Sequence, residues 1–290
     1  MVEATDHLGV AMLDRELVEA VMIVEQAGDM LLKFYNSTQK VHFKAGAEPV
    51  TQADTEVNDF VVTKLRRLFP NDGIVAEESG GEVTPTRSGR FWYIDPLDGT
   101  KEFLARNGEF AVMIGLTIDG EARLGVVYQP VSRKLYRGVV GEGAFCEEGD
   151  TTRVLQVREV FEPSQARLVS SRSHRSPKVD VLVKRLGIQE EVNIGSIGLK
   201  AGLVVEQKAD LYVHFSKRLA PWDICAADAL VRAAGGLFVD IQGLPFSYAG
   251  GQIAERNGVV ACHPNLFGAI APTLAQLNGN DEVSSPDERV

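Results

Sequence analysis

Cysteine is scarce in this chain. The 290 residues include only three cysteines, Cys146, Cys225 and Cys262, an odd number at wide spacing. Disulfide frameworks pair cysteines in even numbers, and structural zinc sites use closely spaced cysteines, so the sequence disfavours both. We therefore expect three reduced and buried thiols, which is typical of a cytoplasmic protein.

Long apolar runs and basic runs are also missing. No stretch reaches the roughly 20 apolar residues that cross a bilayer, so we expect no membrane span. Acidic residues interrupt the first 16 positions, which disfavours a cleaved secretory signal. Lys and Arg number 30 against 40 Asp and Glu, a net charge of −10, and such a surface gives no electrostatic footprint for a nucleic-acid polymer.

The composition that remains is that of a globular protein, with 44% hydrophobic and 24% charged residues. Apolar spacing predicts helices over 14–35 and about 54–69, followed by an antiparallel meander. Later strands and helices alternate, which indicates an α/β portion. The predicted parts are an N-terminal α+β half over 1–165, a C-terminal α/β half over 166–277 and a disordered tail over 278–290.

Acidic residues stand where predicted elements begin or end. Taken singly, each has an ordinary interpretation: Glu77 and Glu78 as a solvated charge pair, Asp54 and Asp223 as helix N-caps. Asp95 differs, because it follows four bulky hydrophobic residues at the end of a predicted strand. The acids together therefore suggest a functional site.

The stretch from Asp95 to Thr100 predicts a particular chemistry. Two carboxylates at D-x-x-D spacing, with the Leu97 carbonyl between them, are oxygen ligands that suit Mg²⁺. Gly99 allows close approach of the backbone to a phosphate, and the Thr100 hydroxyl is able to orient an attacking water. The sequence thus favours metal-assisted phosphoryl transfer to water.

Four segments resemble the inositol monophosphatase superfamily. They contain, in the order and spacing typical of that family, Pro49–Asp54, Ala76–Ser79, Asp95–Thr100 and Trp222-Asp223. The resemblance covers roughly residues 14 to 270. It implies a layered α-β-α-β-α sandwich and a Mg²⁺-dependent, lithium-sensitive phosphomonoesterase that uses two or three ions.

The resemblance also implies a role for each matching residue. Asp54 and Thr100 would activate the attacking water, and the amides of Gly99 and Thr100 would hold the phosphate. The implied metal ligands are Glu77, Asp95, the Leu97 carbonyl, Asp98 and Asp223.

Lys101-Glu102-Phe103 narrows the resemblance to bacterial 3′(2′),5′-bisphosphate nucleotidases of sulfur assimilation, which convert adenosine 3′,5′-bisphosphate to AMP and phosphate. Inositol monophosphatases usually have Asn-Phe in place of Glu102-Phe103. In the nucleotidase subgroup, the residues matching His174, Ser196 and Lys200 lie near the nucleotide. Taken alone, His174 reads as a surface histidine, and Lys200 as a solvent-facing lysine at a helix start. The expected partner is a small phosphorylated substrate, and the expected assembly is a monomer or a homodimer.

His214 departs from this subgroup, which has an arginine there; inositol monophosphatases have a glutamate. Lys217 and Arg218 are close enough in sequence to replace the arginine. An inositol monophosphatase or a sugar-bisphosphate phosphatase therefore remains the alternative function.

Two other functional classes match fewer of the motifs in this sequence. A haloacid-dehalogenase-type phosphatase uses D-x-D, whereas Asp95 and Asp98 are separated by two residues. A non-catalytic binding module has no support, since every residue assigned to metal binding or water activation is present.

Overall fold

The protein, described by a computed structural model, has defined structure over residues 13–37, 41–43, 49–81, 86, 88–216, 219–253 and 257–279. Numbered along the chain, the α-helices in these ranges are α1 (Asp14–Tyr35), α2 (Gln52–Leu68), α3 (Thr100–Ala105), α4 (Pro177–Leu186), α5 (Ile197–Val205), α6 (Pro221–Ala233) and α7 (Pro264–Gly279). The last helix extends two residues into the predicted tail, whose remaining residues, 280–290, lie outside the described ranges.

The strands form one small and two large sheets. They are β1 (Val41–Phe43), β2 (Pro49–Thr51), β3 (Gly73–Ala76), β4 (Arg90–Asp98), β5 (Ala111–Ile118), β6 (Glu121–Gln129), β7 (Lys134–Val139), β8 (Gly143–Glu148), β9 (Thr151–Leu155), β10 (Arg167–Ser171), β11 (Glu190–Ile194), β12 (Leu211–His214), β13 (Leu237–Val239) and β14 (Val259–Cys262). β1 pairs with β2. The seven-stranded sheet has the order β3-β4-β5-β6-β7-β8-β9, and the five-stranded sheet the order β11-β10-β12-β14-β13.

The two large sheets differ in their pairing. In the seven-stranded sheet β3 and β4 are parallel, and every later pair is antiparallel, as expected for a meander. In the five-stranded sheet β11, β10 and β12 are parallel, whereas β14 pairs antiparallel with both β12 and β13. The first sheet ends at Leu155 and the second begins at Arg167.

Helices and sheets form five layers. α1 and α2 cover one face of the seven-stranded sheet, and α5 and α6 lie between the two large sheets. α4 and α7 pack together on the far face of the five-stranded sheet. The order is therefore α-β-α-β-α, which confirms the predicted layered fold.

α6 is the central helix of the molecule, and glycines in the sheet beneath it allow its close approach. A Cβ at Gly125 would lie 2.1 Å from the carbonyl oxygen of Ala226, and a Cβ at Gly115 would lie 2.6 Å from Cys225 Sγ. Larger residues at these two positions would push the helix outward. The two glycines therefore determine how closely the first turn of α6, which contains Asp223, approaches the sheet.

The three cysteines are free and buried, as the sequence predicted. No helix in the described ranges combines the length and apolarity that crossing a membrane requires.

Candidate active site

The ends of β3 and β4 bring the first two acidic residues together. These strands are parallel, with Ala76 opposite Ile94, so the next residues along the chain are Glu77 and Asp95. Parallel strands that end at the same edge place their following side chains side by side. Asp95 is 3% exposed, and Glu77 is half-buried in a short 3₁₀ turn.

A bulge in β4 adds Asp98 to the group. In a regular strand, residues three apart face opposite sides. Here the register shifts, with Asp95 opposite Met113 and Asp98 opposite Ala111, so one extra residue lies in β4. Asp95 Oδ1 accepts a hydrogen bond from the Leu97 amide at 3.0 Å, which holds the bulged segment.

Donors at the start of α5 fix the Asp98 carboxylate. Its Oδ2 accepts hydrogen bonds from Ser196 Oγ at 2.6 Å and from the Gly198 amide at 2.9 Å. Ser196 also accepts the Leu199 amide as the N-cap of this helix, with a positive φ of 60°. One serine therefore links the end of β4 to a helix between the sheets.

Asp223 enters from the first turn of α6. Its Oδ2 accepts the Ala220 amide at 2.9 Å, so the carboxylate caps the helix, and Pro221 occupies the first helical position. The predicted N-cap positions are wrong, because Ala220 and Thr51 are the N-caps and Asp223 and Asp54 each follow at the third helical position. The Asp223 carboxylate still accepts the amide of the N-cap residue, and its charge raises the pKa of Asp95.

Mutual repulsion characterises this acidic group. Burial raises the pKa of Asp95 well above its usual range, and the charges of Glu77, Asp98 and Asp223 raise it further. Burial also raises the pKa of Asp98, although Lys200 and the hydrogen bonds of Asp98 oppose the shift. The four acids therefore interact closely. Within the described ranges, no three Asp, Glu, His or Cys side chains already surround one point as a complete metal cage would.

Asp54 and Thr100 meet beside the acidic group. Asp54 is 1% exposed at the start of α2, where its Oδ2 accepts the Thr51 amide and hydroxyl, both at 2.7 Å. Its Oδ1 lies 3.3 Å from Thr100 Oγ1, and the Leu97 carbonyl oxygen lies equally far from that hydroxyl. Burial raises the pKa of Asp54, against the lowering effect of Thr51.

Gly99 makes the tight turn between β4 and α3. It has a φ of +103°, and a Cβ there would lie 2.9 Å from the carbonyl oxygen of Glu109. Only glycine adopts this conformation without strain. The turn places Thr100 at the first position of α3, two residues after Asp98.

Lys200 is buried, being 2% exposed. Its Nζ lies 3.4 Å from the carbonyl oxygen of Ile194. Burial lowers the pKa of Lys200 to about 8, against the opposing charges of Asp98, Glu102 and Glu109. In this structure the lysine serves as a counter-charge to three acids of the segment that runs from the end of β4 to the start of β5.

Further contacts connect this segment to the second half of the chain. Glu109 forms a bidentate pair with Arg172 at 2.7 and 2.6 Å and accepts the Gly195 amide at 2.9 Å. Burial alone would raise the pKa of Glu109, but these hydrogen bonds lower it. Ser173 donates a hydrogen bond to the buried Glu102.

The two predicted substrate-side histidines differ in their surroundings. His174 is exposed, and its Nε2 lies 2.8 Å from Lys101 Nζ. Burial lowers the pKa of His214 to about 4, with Lys200 and His174 adding to the shift, so this imidazole is neutral near pH 7. Lys217 and Arg218 lie outside the described ranges.

Tyr212, Glu109 and Arg172 are further residues of this region that the sequence patterns did not assign to the site. Tyr212 is fully buried, and its hydroxyl has no hydrogen-bond partner among the described residues. Alternation along β12 was an available signal, because Tyr212 and His214 lie on the same face of the strand. The pairing of Glu109 with Arg172 spans 63 positions and leaves no local signal.

The donor set fits a hard divalent cation. It consists entirely of oxygens, four from carboxylate side chains and one from a backbone carbonyl, and such ligands suit Mg²⁺ better than softer ions. The acids repel one another without a cation, as the raised pKa of Asp95 indicates. The orphaned Tyr212 hydroxyl beside them is a further unsatisfied polar group.

Comparisons with known proteins identify the family of this chain. The family model described as the inositol monophosphatase family matches residues 13–278. The 3′(2′),5′-bisphosphate nucleotidase CysQ of Escherichia coli K12 is 38% identical over 236 residues, which cover 80% of this chain and 93% of the relative. The inositol-1-monophosphatase of Bacillus subtilis is 28% identical over 254 residues, 85% of this chain and 91% of the relative.

A solved structure shows the same similarity. CysQ from Bacteroides thetaiotaomicron, described as a bacterial member of the inositol monophosphatase family, aligns with a TM-score of 0.69 at 28% identity. The alignment covers 86% of this chain and 97% of that structure. From the matched family model, the relatives and the layered fold, we conclude that this chain belongs to the inositol monophosphatase family.

Proposed function

We propose that this protein is a metal-dependent phosphomonoesterase that acts as a 3′(2′),5′-bisphosphate nucleotidase, releasing phosphate from adenosine 3′,5′-bisphosphate to give AMP. The observation that carries the proposal is the position of the hydrogen-bonded Asp54–Thr100 pair beside the self-repelling acids around Asp95. The family is metal-dependent, and the related CysQ proteins bear the name of this activity.

The acidic group is the proposed metal site, with two or three Mg²⁺ ions as the expected complement. Bound there, the cations supply Lewis-acid stabilisation of the phosphate oxygens and neutralise the acids. The proposed ligands are the carboxylates of Glu77, Asp95, Asp98 and Asp223, with the Leu97 carbonyl.

The pair formed by Thr100 and Asp54 orients the attacking water. Thr100 has one hydroxyl proton, which it donates towards Asp54 Oδ1 or the Leu97 carbonyl oxygen, each at 3.3 Å. The threonine oxygen then accepts a hydrogen bond from water, and Asp54 is the base that ultimately accepts the proton. The tight turn at Gly99 presents the amides of Gly99 and Thr100 to the phosphate.

We propose that residues contributed by the C-terminal half of the chain, together with Lys101, determine specificity for a second phosphate. Lys101 and His174 form an exposed pair next to the Glu102–Ser173 contact. Ser196 and Lys200 lie on the inner side of the same region. Ser196 and Lys200 both belong to the proposed substrate site. Lys200 would contact a phosphate only after its side chain leaves the buried position.

A neutral His214 favours the second candidate function, hydrolysis of an inositol or sugar phosphate. With a pKa of about 4 it offers a hydrogen bond to a sugar hydroxyl and no charge to a phosphate. The Bacillus subtilis relative named as an inositol-1-monophosphatase is consistent with this alternative. For either substrate we propose a cytoplasmic enzyme, monomeric or dimeric, that binds no nucleic-acid polymer.

Phosphate release with three substrates tests the proposal. The substrates are adenosine 3′,5′-bisphosphate, inositol 1-phosphate and fructose 1,6-bisphosphate, each with Mg²⁺ and with EDTA. We expect activity only with Mg²⁺ and a kcat/KM for the nucleotide at least roughly a hundredfold above the others. A higher kcat/KM for inositol or sugar phosphate would establish the second candidate, and full activity in EDTA would reject metal dependence.

A further inference from the structure

Tyr212 is an exception among the deeply buried tyrosines. The Tyr136 hydroxyl donates to Glu206 at 3.0 Å, the Tyr248 hydroxyl to Asp228 at 2.9 Å, and the Tyr93 hydroxyl to the Tyr248 carbonyl oxygen at 3.2 Å. The Tyr212 hydroxyl is completely enclosed and has no such partner among the described residues. An unpaired buried hydroxyl lowers stability, so its retention calls for a reason.

The surroundings of this hydroxyl indicate where it points. Burial and the charges of Asp98 and Asp223 together raise the pKa of Tyr212. The Nζ of Lys200, which also interacts with Asp98, lies 5.6 Å from the centre of the tyrosine ring. The ring therefore packs against the start of α5, the segment that holds the Asp98 carboxylate through Ser196 and the Gly198 amide.

Asp98 is the better placed acceptor. Lys200, whose Nζ lies beside the Tyr212 ring, follows Ser196 by one turn of α5. Ser196 in turn donates to Asp98 at 2.6 Å. The Asp98 Oδ2 is already held by Ser196 and the Gly198 amide, so the carboxylate is anchored on one side. A donor approaching from β12 would fix the remaining freedom of this carboxylate. Residues that orient metal ligands in this way commonly tune metal affinity.

We propose that Tyr212 is a positioning residue of the acidic site, whose hydroxyl donates a hydrogen bond to the Asp98 carboxylate when a divalent cation binds. The inference rests on the proposed metal-dependent function. Before the cation binds, the hydroxyl would have no partner among the described residues, and binding would convert this unsatisfied group into a hydrogen bond. Tyr212 thereby contributes to metal affinity without contacting the substrate.

The test compares Tyr212→Phe with Tyr136→Phe, two substitutions that each remove one buried hydroxyl. Tyr136 lies away from the acidic group and is hydrogen-bonded to Glu206. Unfolding midpoints of the metal-free proteins and Mg²⁺ affinities from calorimetry are the measurements. We expect Tyr212→Phe to keep or raise the metal-free midpoint and to weaken Mg²⁺ binding roughly tenfold. Tyr136→Phe should lower the midpoint and leave Mg²⁺ affinity unchanged.

Ultraviolet difference spectra give a second measurement. Mg²⁺ should perturb tyrosine absorption in the wild-type protein and in Tyr136→Phe, and the perturbation should be absent in Tyr212→Phe. If Tyr212→Phe does not fold, the lack of a tyrosine perturbation in the wild-type protein would itself reject the inference.

The outcomes separate this inference from the proposed function. If the wild-type protein binds Mg²⁺ and releases phosphate but Tyr212→Phe binds Mg²⁺ equally well, only the role of Tyr212 is wrong. A metal-free midpoint lowered as much as in Tyr136→Phe would also reject the inference, because the hydroxyl would then already have a partner. If the wild-type protein neither binds Mg²⁺ nor needs it, both proposals fail.

Discussion

Two buried acidic residues of this protein, Glu206 and Asp95, have opposite surroundings. The Glu206 side chain is fully enclosed, and positively charged or hydroxyl groups surround it. Its carboxylate lies 2.7 Å from Arg153, 3.0 Å from Lys208, 3.3 Å from Lys134 and 3.0 Å from the Tyr136 hydroxyl. Burial alone would raise the pKa of Glu206, but these partners lower it below the usual value.

Asp95 is just as deeply buried, but acids surround it. Its pKa lies well above the usual range because of burial and of the charges of Glu77, Asp98 and Asp223. A buried acid whose pKa is lowered is favoured in its ionised form by the folded state, whereas one whose pKa is raised opposes folding when it is ionised. The first group is therefore neutralised by its own neighbours in the protein, whereas the second has the unbalanced negative charge expected of the proposed cation site.

Replacing each acid by its amide should give the largest difference between the two groups, one variant losing activity and the other losing stability. We expect Asp95→Asn to lower the rate of phosphate release by at least ~10³-fold, because it removes charge from the proposed metal site. Glu206→Gln should leave kcat nearly unchanged and lower the free energy of unfolding by about 1–3 kcal/mol, because it weakens ionic hydrogen bonds. Steady-state kinetics and urea titration are the measurements. Near wild-type Mg²⁺-dependent activity in Asp95→Asn would show that the metal assignment is wrong.

Thr100→Ala should separate water activation from metal binding. The hydroxyl lies 3.3 Å from Asp54, outside the group of proposed metal ligands. We expect kcat to fall by roughly 10²–10³-fold while Mg²⁺ affinity stays the same, because the water loses its orienting group. Thr100→Ser is the matched control and should restore most of the rate. A rise in KM alone would instead make Thr100 a substrate-binding residue.

His214→Arg tests whether position 214 determines substrate preference. The imidazole is neutral, with a pKa of about 4, so it offers a phosphate no charge. An arginine at this position should raise the kcat/KM ratio of nucleotide to inositol phosphate roughly tenfold, because a charge-assisted hydrogen bond is gained. His214→Gln, which adds no charge, is the control. An unchanged ratio in His214→Arg would place the residue outside the substrate site.

Asp228 is an intermediate case between the two buried acids. Its Oδ2 accepts the Tyr248 hydroxyl at 2.9 Å, while Arg232 lies 3.9 Å from its Oδ1. Burial raises the pKa of Asp228 to about 7, with Arg232 and Tyr248 opposing and Glu121 adding to the shift. The partners are therefore too weak to keep the carboxylate ionised below neutral pH.

This shift predicts a dependence of stability on pH. Between the ordinary value of 3.8 and about 7 the folded protein binds the proton that the unfolded chain has lost, so stability falls as pH rises through this window. Asp228→Asn does not titrate, and its free energy of unfolding should fall less between pH 5 and pH 8. The difference should be on the order of 1 kcal/mol or more, since one pKa unit corresponds to about 1.4 kcal/mol. Parallel pH profiles of the two proteins would contradict the raised pKa.

The sequence predicted the parts of the site that local patterns encode. Asp95 ends an apolar strand, and Asp54 and Asp223 begin helices, so each is visible within a short window. The family and the layered fold are confirmed by the comparisons. Contacts between distant segments leave no such pattern, which is why the Glu206 group and the Glu109–Arg172 pair could not be predicted.

The sequence patterns of β9, β11 and α7 are weak for similar local reasons. β9 and β11 are short edge strands whose residues are mostly exposed, so they lack the apolar alternation of a half-buried strand. α7 contains Pro272 and no charged residue, which hides its helical pattern. Tyr212 lies two positions before His214, but its orphaned hydroxyl becomes visible only when the neighbouring elements are in place.

We propose to measure the unfolding midpoint with and without Mg²⁺, because this shows whether the acids around Asp95 require a cation. The proteins to compare are the wild type, Asp95→Asn and Glu206→Gln. In EDTA we predict the order Asp95→Asn at or above the wild type and Glu206→Gln below it. Mg²⁺ should raise the midpoints of the wild type and of Glu206→Gln but not that of Asp95→Asn. An equal rise in all three proteins would contradict the account, because the cation would then bind elsewhere.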